Sequence, residues 1–230
     1  HLSAERPHIN RQFFDFIRDT AMRAEALYIL GDLFEYWIGD DDLAEPLHLA
    51  VADALRSLAA GRVRVLLMQG NRDVLLGQAF ARRCRAELLA EPALLDLYGT
   101  PTLLMHGDTL CTDDTDYQRF RGYARDPDNQ ARFLAQPLEA RRAQMLGMRA
   151  ESEHSKQEKS GEIMDVTPAT VEGVLRAYGY PRLIHGHTHR PARHVHMVDG
   201  RACERWVLND WYHRGGYLHC APDGCTARLL

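Results

Sequence analysis

Several short apolar runs in this chain lead into side chains that can bind a metal ion. Asp32 follows ALYILG, Asn71 follows VRVLLMQG, and His106 follows TLLM. The run RLIHGHTH adds His187 and His189. Because the carboxyl ends of parallel strands meet at one edge of a sheet, we expect these side chains to lie together. The pattern therefore predicts a metal centre at that edge.

The donor types indicate which ions and which reaction such a site would serve. Carboxylate, amide oxygen and imidazole together suit Mn²⁺, Fe²⁺ or Zn²⁺ better than Mg²⁺ or Ca²⁺, which prefer shells of oxygen alone. An H-x-H pair in extended backbone points both rings to one face, so His187 and His189 can reach one ion or two neighbouring ions. Two ions about 3.5–4 Å apart would hold a phosphoryl group and supply a hydroxide. This chemistry favours hydrolysis of a phosphoester or phosphoanhydride.

Each histidine taken alone is more often an ordinary hydrogen-bonded residue than a metal ligand. The repetition favours the ligand interpretation, because each segment begins apolar and combines a glycine with a donor. These glycines would allow tight turns close to the ions, and they are Gly31, Gly70, Gly107 and Gly186.

The elements that must position these donors alternate between strands and helices. Apolar spacing predicts a helix over residues 7–23, a strand over 26–30, a helix from Pro46 to Gly61, and a strand at VRVLLM. This order is a βαβ unit with parallel pairing, so we predict an α/β fold in a single domain over residues 1–230. Short antiparallel strands are predicted later in the chain, at 193–198, 203–208, 216–220 and 226–230.

A helical insertion is predicted between two of the donor segments, at about residues 113–160. Asp113 or Asp114 can cap its first helix, DPDN indicates a turn, and a second helix begins near Pro137. Its arginines, which alternate with apolar side chains, are Arg119, Arg121, Arg125, Arg132, Arg141, Arg142 and Arg149. One interpretation is a solvated helix pair packed on the core. The other is a lid that meets an anionic, apolar ligand or a membrane surface.

Composition limits the classes of function. The 230 residues are 45% hydrophobic, which is ordinary for a globular protein, and their net charge of −4 argues against a general nucleic-acid binder. No apolar run approaches the roughly 18 residues that span a bilayer. The five cysteines contain no C-x-x-C pair, so we expect a reducing cytosol and free thiols, although Cys220 and Cys225 could lie on neighbouring strands.

Four motifs resemble, in order and spacing, those of the calcineurin-like metallophosphoesterases: GD at 31–32, GNRD at 70–73, HGD at 106–108 and GHTH at 186–189. The usual family motif has His where this chain has Arg72. That arginine and four longer strings resemble one branch, which hydrolyses a UDP-linked diacylated glucosamine lipid in lipid A biosynthesis. The strings are LGDLFEYWIGDDD at 30–42, HGDTLCTDD at 106–114, IMDV at 163–166 and LIHGHTHRP at 183–191.

The resemblance implies a fold and a reaction. The fold would be an α/β/β/α sandwich of two mixed sheets flanked by helices, with the insertion as a helical lid. The reaction would be hydrolysis of the diphosphate of UDP-2,3-diacylglucosamine to UMP and 2,3-diacylglucosamine 1-phosphate. Two divalent ions, with Mn²⁺ expected, would serve as cofactors. The enzyme would be cytoplasmic and peripheral on the inner-membrane surface, with no nucleic acid as a partner.

The resemblance also implies a role for each site residue. Asp32 would bridge both ions and act in catalysis; Asn71, His106 and His187 would complete one site, and His1 and His189 the other. Arg72 would hold the diphosphate and stabilise transition-state charge, because a guanidinium cannot readily give up a proton. The residues that would contact the substrate are Arg72, Asp114, Ser152, Lys156, Lys159 and His187.

His1 matches the last letter of the family's D-x-H motif, so the resemblance places a first strand and a carboxylate ligand before it. That strand is missing from this sequence, and without it we expect weak metal binding beside His1. Two alternatives stay open: another phosphoesterase that acts on nucleotides or phosphoproteins, and a non-catalytic scaffold. Arg72 and the insertion disfavour the former, and the retained donors disfavour the latter.

Overall fold

The computed structural model of the protein describes residues 1–42, 45–158 and 165–230, with the side chains of these residues except 149–158. Its helices are α1 Pro7–Asp19, α2 Pro46–Ala60, α3 Gln78–Cys84, α4 Thr115–Arg125, α5 Pro127–Leu134, α6 Leu138–Glu158 and α7 Pro168–Ala177. Its strands are β1 Ala26–Leu30, β2 Arg64–Met68, β3 Glu87–Leu88, β4 Ala93–Leu97, β5 Thr100–Met105, β6 Arg182–His185, β7 Ala192–Val198, β8 Arg201–Val207, β9 Gly216–Ala221 and β10 Gly224–Leu229.

The first sheet has the order β1-β2-β3. Both of its pairs are parallel, and α2 connects β1 to β2, which confirms the predicted βαβ unit. Side chains alternate along β1: Leu27 and Ile29 pack against the helices, whereas Leu30 packs toward the second sheet. A change of register by one residue would exchange these faces, so the apolar pattern fixes the pairing.

The second sheet is mixed and has the order β4-β5-β6-β8-β7. Its pairs β5–β6 and β6–β8 are parallel, whereas β4–β5 and β7–β8 are antiparallel. Strands β9 and β10 form a separate antiparallel hairpin. A cavity of about 970 Å³ lies between β1 and β9. Two mixed sheets are expected from the resemblance, but the first sheet is parallel in every pair of its described strands.

Clusters of buried side chains separate these elements into four layers. Phe13 of α1 belongs to the cluster that joins α1, α2 and α3 to the first sheet. Leu30 and Ile184 lie between the two sheets. Val171 of α7 packs against Leu183 on the outer face of the second sheet. The predicted α/β/β/α sandwich is therefore confirmed.

Two predicted boundaries differ from the structure for local reasons. The helix predicted over residues 7–23 ends at Asp19, and a 3₁₀ turn follows at Ala21–Arg23. The turn predicted at DPDN is wrong, because Asp126 caps α5 and Pro127 begins it. Proline suits the first turn of a helix, where its missing N–H would have no acceptor in any case.

The insertion is helical, as predicted. Of the two candidate caps, Asp114 is the one used: the Tyr117 N–H donates to Asp114 Oδ1 at 3.0 Å. Helix α6 is the longest element, with 21 residues. Within the ranges given above, no helix combines the length and the apolar character needed to cross a bilayer.

The expectation of free thiols is wrong for one pair of cysteines. Cys220 and Cys225 lie directly opposite each other on β9 and β10 and form a disulfide. Cys84, Cys111 and Cys203 are buried and lie outside this disulfide. The turn between β9 and β10 brings the pair together, which spacing in the sequence leaves open.

Arg141 fastens the insertion to the core. Its side chain is 2% exposed and forms an ion pair with Asp41, in the loop that follows β1. The guanidinium also donates to the Ile38 carbonyl at 2.6 Å and to the Gln136 carbonyl at 3.1 Å. This arginine therefore packs on the core, as the first interpretation of the insertion predicts, and does not face a ligand.

We predict that Arg141→Met loosens the insertion. The change leaves the Ile38 and Gln136 carbonyls without this donor and should lower the free energy of unfolding by about 1–3 kcal/mol. Urea unfolding would measure the loss, and limited proteolysis should cut the insertion sooner. Arg119→Met is the control, because Arg119 pairs with Asp116 on the exposed surface and should change stability by less than about 0.5 kcal/mol. Equal effects of the two variants would contradict this account.

Candidate metal centre

The predicted donors lie just beyond the carboxyl ends of strands. Asp32, Asn71 and His106 follow β1, β2 and β5, and His187 and His189 follow β6. The first two strands belong to one sheet and the other two to the second sheet. The site is therefore built where the edges of both sheets meet.

Gly31 and Gly70 allow the first two of these loops to touch. A Cβ on Gly31 would lie 2.6 Å from the Gly70 Cα, and a Cβ on Gly70 would lie 2.1 Å from Asp32 Oδ1. Gly31 also has a φ of 86°, a conformation that other residues rarely adopt. Any side chain at these positions would push apart the loops that carry Asp32 and Asn71.

Asp32, His106 and His187 form one group whose ligand atoms all lie within 4.8 Å of one another. His106 Nε2 is 3.8 Å from Asp32 Oδ1. Asn71 Oδ1 joins this group, at 3.0 Å from His106 Nε2 and 2.9 Å from His187 Nδ1. These four side chains could share a single ion.

His1, Asp32 and His189 form a second group within the same limit. His1 Nε2 lies 3.4 Å from Asp32 Oδ2 and 3.2 Å from His189 Nε2. Asp32 thus presents Oδ1 to the first group and Oδ2 to the second. One carboxylate between two sets of ligands is the arrangement that holds two ions close together.

The electrostatics of the site suit a bound cation. Although burial opposes ionisation, the imidazoles of His106 and His1 hold the pKa of Asp32 below its usual range. Burial also opposes charge on His106, but Asp32 raises the pKa of that ring. Burial and the nearby His106 lower the pKa of His187 to about 3, so His187 is neutral. An ionised carboxylate and an unprotonated imidazole are the forms that bind metal. Asp32 and His187 already have these forms, and an ion would displace any proton on His106, so the donor set fits divalent ions.

Asp73 is the most important residue that sequence reasoning missed. Its side chain is 0% exposed. The Asp32 and Gly70 N–H groups donate to its Oδ1 at 3.0 and 2.7 Å, and the Leu33 N–H donates to its Oδ2 at 2.7 Å. Burial and the neighbouring Asp32 raise the pKa of Asp73, whereas the backbone N–H groups that donate to it favour its ionised form. As the last letter of GNRD, it could have been found from the motif.

Asp108 is a second residue that the sequence reasoning passed over, although it ends the HGD motif. It is fully buried two residues after His106. The Tyr117 hydroxyl donates to its Oδ2 at 2.9 Å, and Arg121 Nε donates to the same oxygen at 2.8 Å. Both partners belong to α4, so the start of the insertion is attached to the loop that carries His106.

Arg72 lies beside the carboxylate that the two donor groups share. Its backbone N–H donates to Asp32 Oδ1 at 2.8 Å. Its guanidinium is 9% exposed and lies 3.7 Å from Glu35 Oε1. The structure thus brings a permanent positive charge next to the candidate metal centre.

A cleft of about 680 Å³ opens over this centre. Its polar lining residues include Asp32, Asn71 and Arg72. The insertion and the loop after β1 supply an apolar lining, which includes Trp37, Phe120, Phe133, Met145 and Met148. The cleft can therefore accept a ligand with an anionic part and a hydrophobic part.

Of the predicted substrate-contacting residues in the insertion, the structure describes the side chain of Asp114. Asp114 lines the cleft and also caps α4. Ser152 and Lys156 belong to α6, in the stretch whose side chains are not described, and Lys159 lies outside the described residues. Their contacts with a substrate stay predictions.

Comparison with known proteins agrees with this site. The profile of the calcineurin-like phosphoesterase family matches residues 7–191, and the chain belongs to that family. Among its relatives, a UDP-2,3-diacylglucosamine hydrolase of Aromatoleum aromaticum is 55% identical over 229 residues, which cover 100% of this chain and 93% of the relative. Proteins of the same name from Cellvibrio japonicus and Xanthomonas campestris pv. campestris are 53% and 50% identical, over 99% and 100% of this chain and 95% and 96% of the relatives.

We predict that Asp73→Asn weakens the site without removing a donor. The amide would turn an N–H₂ toward backbone N–H groups, so at least one buried donor loses its acceptor, and the free energy of unfolding should fall by about 1–3 kcal/mol. Urea unfolding in the absence of metal would measure this fall in the free energy of unfolding. Calorimetry should show weaker metal binding. Asp96→Asn is the control, because Asp96 is exposed and accepts one N–H, from Gly99 at 2.6 Å. Unchanged metal affinity in Asp73→Asn would refute the role.

Proposed function

We propose that this protein hydrolyses the diphosphate bond of UDP-2,3-diacylglucosamine and releases UMP and 2,3-diacylglucosamine 1-phosphate. The observation that carries the proposal is the cleft, which joins the shared Asp32 carboxylate and the Arg72 guanidinium to an apolar wall. A diphosphate needs the first end, and acyl chains need the second. The name of the relatives described above supports the same substrate.

Two divalent ions, with Mn²⁺ as the preferred ion, are the proposed cofactors. Asp32, Asn71, His106 and His187 would hold one ion, and His1, Asp32 and His189 the other. When bound, such ions polarise phosphoryl oxygens and supply a hydroxide at neutral pH. Imidazole and amide donors favour Mn²⁺ over Mg²⁺, and their combination with a carboxylate supports the proposal.

Arg72 is the proposed group that holds the diphosphate. A guanidinium can form paired hydrogen bonds with phosphate oxygens, and it stays charged throughout the reaction. Because its backbone N–H is fixed to Asp32 Oδ1, its side chain starts from a defined point beside the candidate metal centre. Arg72 would therefore orient the diphosphate and stabilise the negative charge that develops as the bond breaks. Asp114, Ser152, Lys156, Lys159 and His187 are the further proposed substrate contacts.

The test is the release of UMP from UDP-2,3-diacylglucosamine in detergent micelles with Mn²⁺. Arg72→Ala should lower kcat/KM by about 10²–10³-fold, the usual loss for a group that stabilises transition-state charge. Arg72→Lys should recover part of this loss because it keeps a positive charge. Arg119→Ala should keep the activity of the parent protein, since Arg119 pairs with Asp116 on the surface. Faster hydrolysis of a soluble phosphomonoester than of the lipid would overturn the assignment.

We also propose that the insertion contacts the cytoplasmic surface of the inner membrane, where the protein would be peripheral. Tyr123 and Leu146 of the insertion are 59% and 56% exposed. Exposed apolar groups next to a cleft for a lipid would allow the substrate to be taken from the bilayer.

The double change Tyr123→Ser and Leu146→Ser should lower binding to vesicles of phosphatidylethanolamine and phosphatidylglycerol by about tenfold or more, because it removes two apolar side chains that the membrane would bury. Sedimentation of the vesicles would measure the bound fraction. The control is Val195→Ser with Met197→Ser, which removes apolar side chains of 56% and 66% exposure from β7. If both pairs reduced binding equally, the insertion would have no special role at the membrane.

A further inference from the structure

Glu35 is a buried carboxylate beside the candidate metal centre that none of the roles above uses. It lies in the loop after β1 and is 4% exposed. Its backbone N–H donates to the Leu2 carbonyl at 3.0 Å, and the Leu2 N–H donates to the Leu33 carbonyl at 2.8 Å. These bonds fix the main chain on both sides of Phe34, which pairs with Leu2. These bonds fix the backbone from which the Glu35 side chain extends into the site.

The two oxygens of Glu35 face different parts of the site. Oε2 is 3.6 Å from His1 Nδ1 and forms an ion pair with Arg6. Oε1 is 3.7 Å from the Arg72 guanidinium. One carboxylate thus lies between a candidate metal ligand and the group proposed to hold the diphosphate.

The contact with His1 bears on which nitrogen of the ring can bind an ion. His1 Nε2 faces Asp32 Oδ2 at 3.4 Å and His189 Nε2 at 3.2 Å, so this is the nitrogen that would be the ligand. Nε2 offers a lone pair only when the proton of the neutral ring is on Nδ1. A carboxylate near Nδ1 favours that tautomer and makes Nε2 a stronger donor. The Tyr212 hydroxyl, 3.2 Å from Nδ1, is the other group on this side of the ring.

The contact with Arg72 bears on the substrate. A long guanidinium side chain loses conformational freedom when it binds an anion, and a carboxylate that restrains it beforehand reduces that loss. Arg72 faces Oε1 of Glu35 and His1 faces Oε2, so a single carboxylate can restrain both side chains.

We propose that Glu35 is a positioning residue that sets the tautomer of His1 and the orientation of Arg72, and so couples one ion site to the binding of the diphosphate. The part that concerns Arg72 rests on the function proposed above. The part that concerns His1 requires only metal binding. The two can therefore be tested separately.

The first experiment measures metal binding without substrate. Glu35→Gln should weaken binding of Mn²⁺ at one of two sites by about 10–100-fold in calorimetry and leave the other site unchanged. Glu204→Gln is the matched control, because Glu204 also lies between two arginines, Arg182 and Arg193, but on β8. Unchanged binding at both sites in Glu35→Gln would overturn the proposal. If this variant does not fold, Glu35→Asp keeps the charge, withdraws the oxygens from His1 and should weaken the same site.

The second experiment observes the tautomer directly. Two-bond ¹H–¹⁵N spectra of the metal-free protein, recorded at a pH at which the spectra themselves show a neutral ring, should show the proton on Nδ1 of His1. Glu35→Gln should increase the population with the proton on Nε2, and Tyr212→Phe should change it less. A larger change in Tyr212→Phe, or none in Glu35→Gln, would contradict the role of Glu35.

The third experiment tests the connection to Arg72 at saturating Mn²⁺. Glu35→Gln should lower kcat/KM for the lipid by about tenfold in the parent protein and by no more than about twofold when Arg72 is already alanine. Equal effects in both backgrounds would show that Glu35 does not act through Arg72. Calorimetry and spectroscopy need no substrate. They would therefore still test the role of Glu35 at His1 if the proposed function were wrong.

Discussion

The buried carboxylate of Asp73 holds together the two loops from which the rest of the site is built. Backbone N–H groups of Asp32, Leu33 and Gly70 donate to it. Charge-assisted bonds of this kind are strong in a protein interior, and losing one leaves a buried donor unpaired. Because β1 and β2 are adjacent and parallel, the loops that follow them begin side by side. The Asp73 carboxylate then sets the distance between these two loops. The position of Asp32, which both donor groups share, depends on it.

Buried charge also explains how the insertion is attached. Arg121 is paired with Asp108 below His106, and Arg141 is paired with Asp41 in the loop after β1. A buried charge is tolerated when it is paired and hydrogen-bonded, and removing one partner leaves the other uncompensated. These arginines therefore orient the helices over the site. The insertion also exposes apolar side chains, for example Tyr123 and Leu146.

The pattern of the sequence was enough to predict the layered α/β fold and the convergence of Asp32, Asn71, His106 and His187. The reason is physical: period-two burial defines the strands, and parallel strands bring their carboxyl ends to one edge. The motifs added the family, and the profile match confirmed it. Local errors, such as the turn predicted at DPDN, arose where one proline could begin a helix or a turn.

Contacts between distant segments were decided only by the tertiary structure. Asp41 and Arg141 are 100 residues apart, and Asp73 meets Asp32 across 41 residues. The pattern of a single segment contains no distance to another segment, so it could not show that Asp73 binds backbone or that Glu35 lies between His1 and Arg72. Residue types and spacing along the strands specified which donors the site would have. Packing of the two sheets and the insertion specified which groups hold those donors in place.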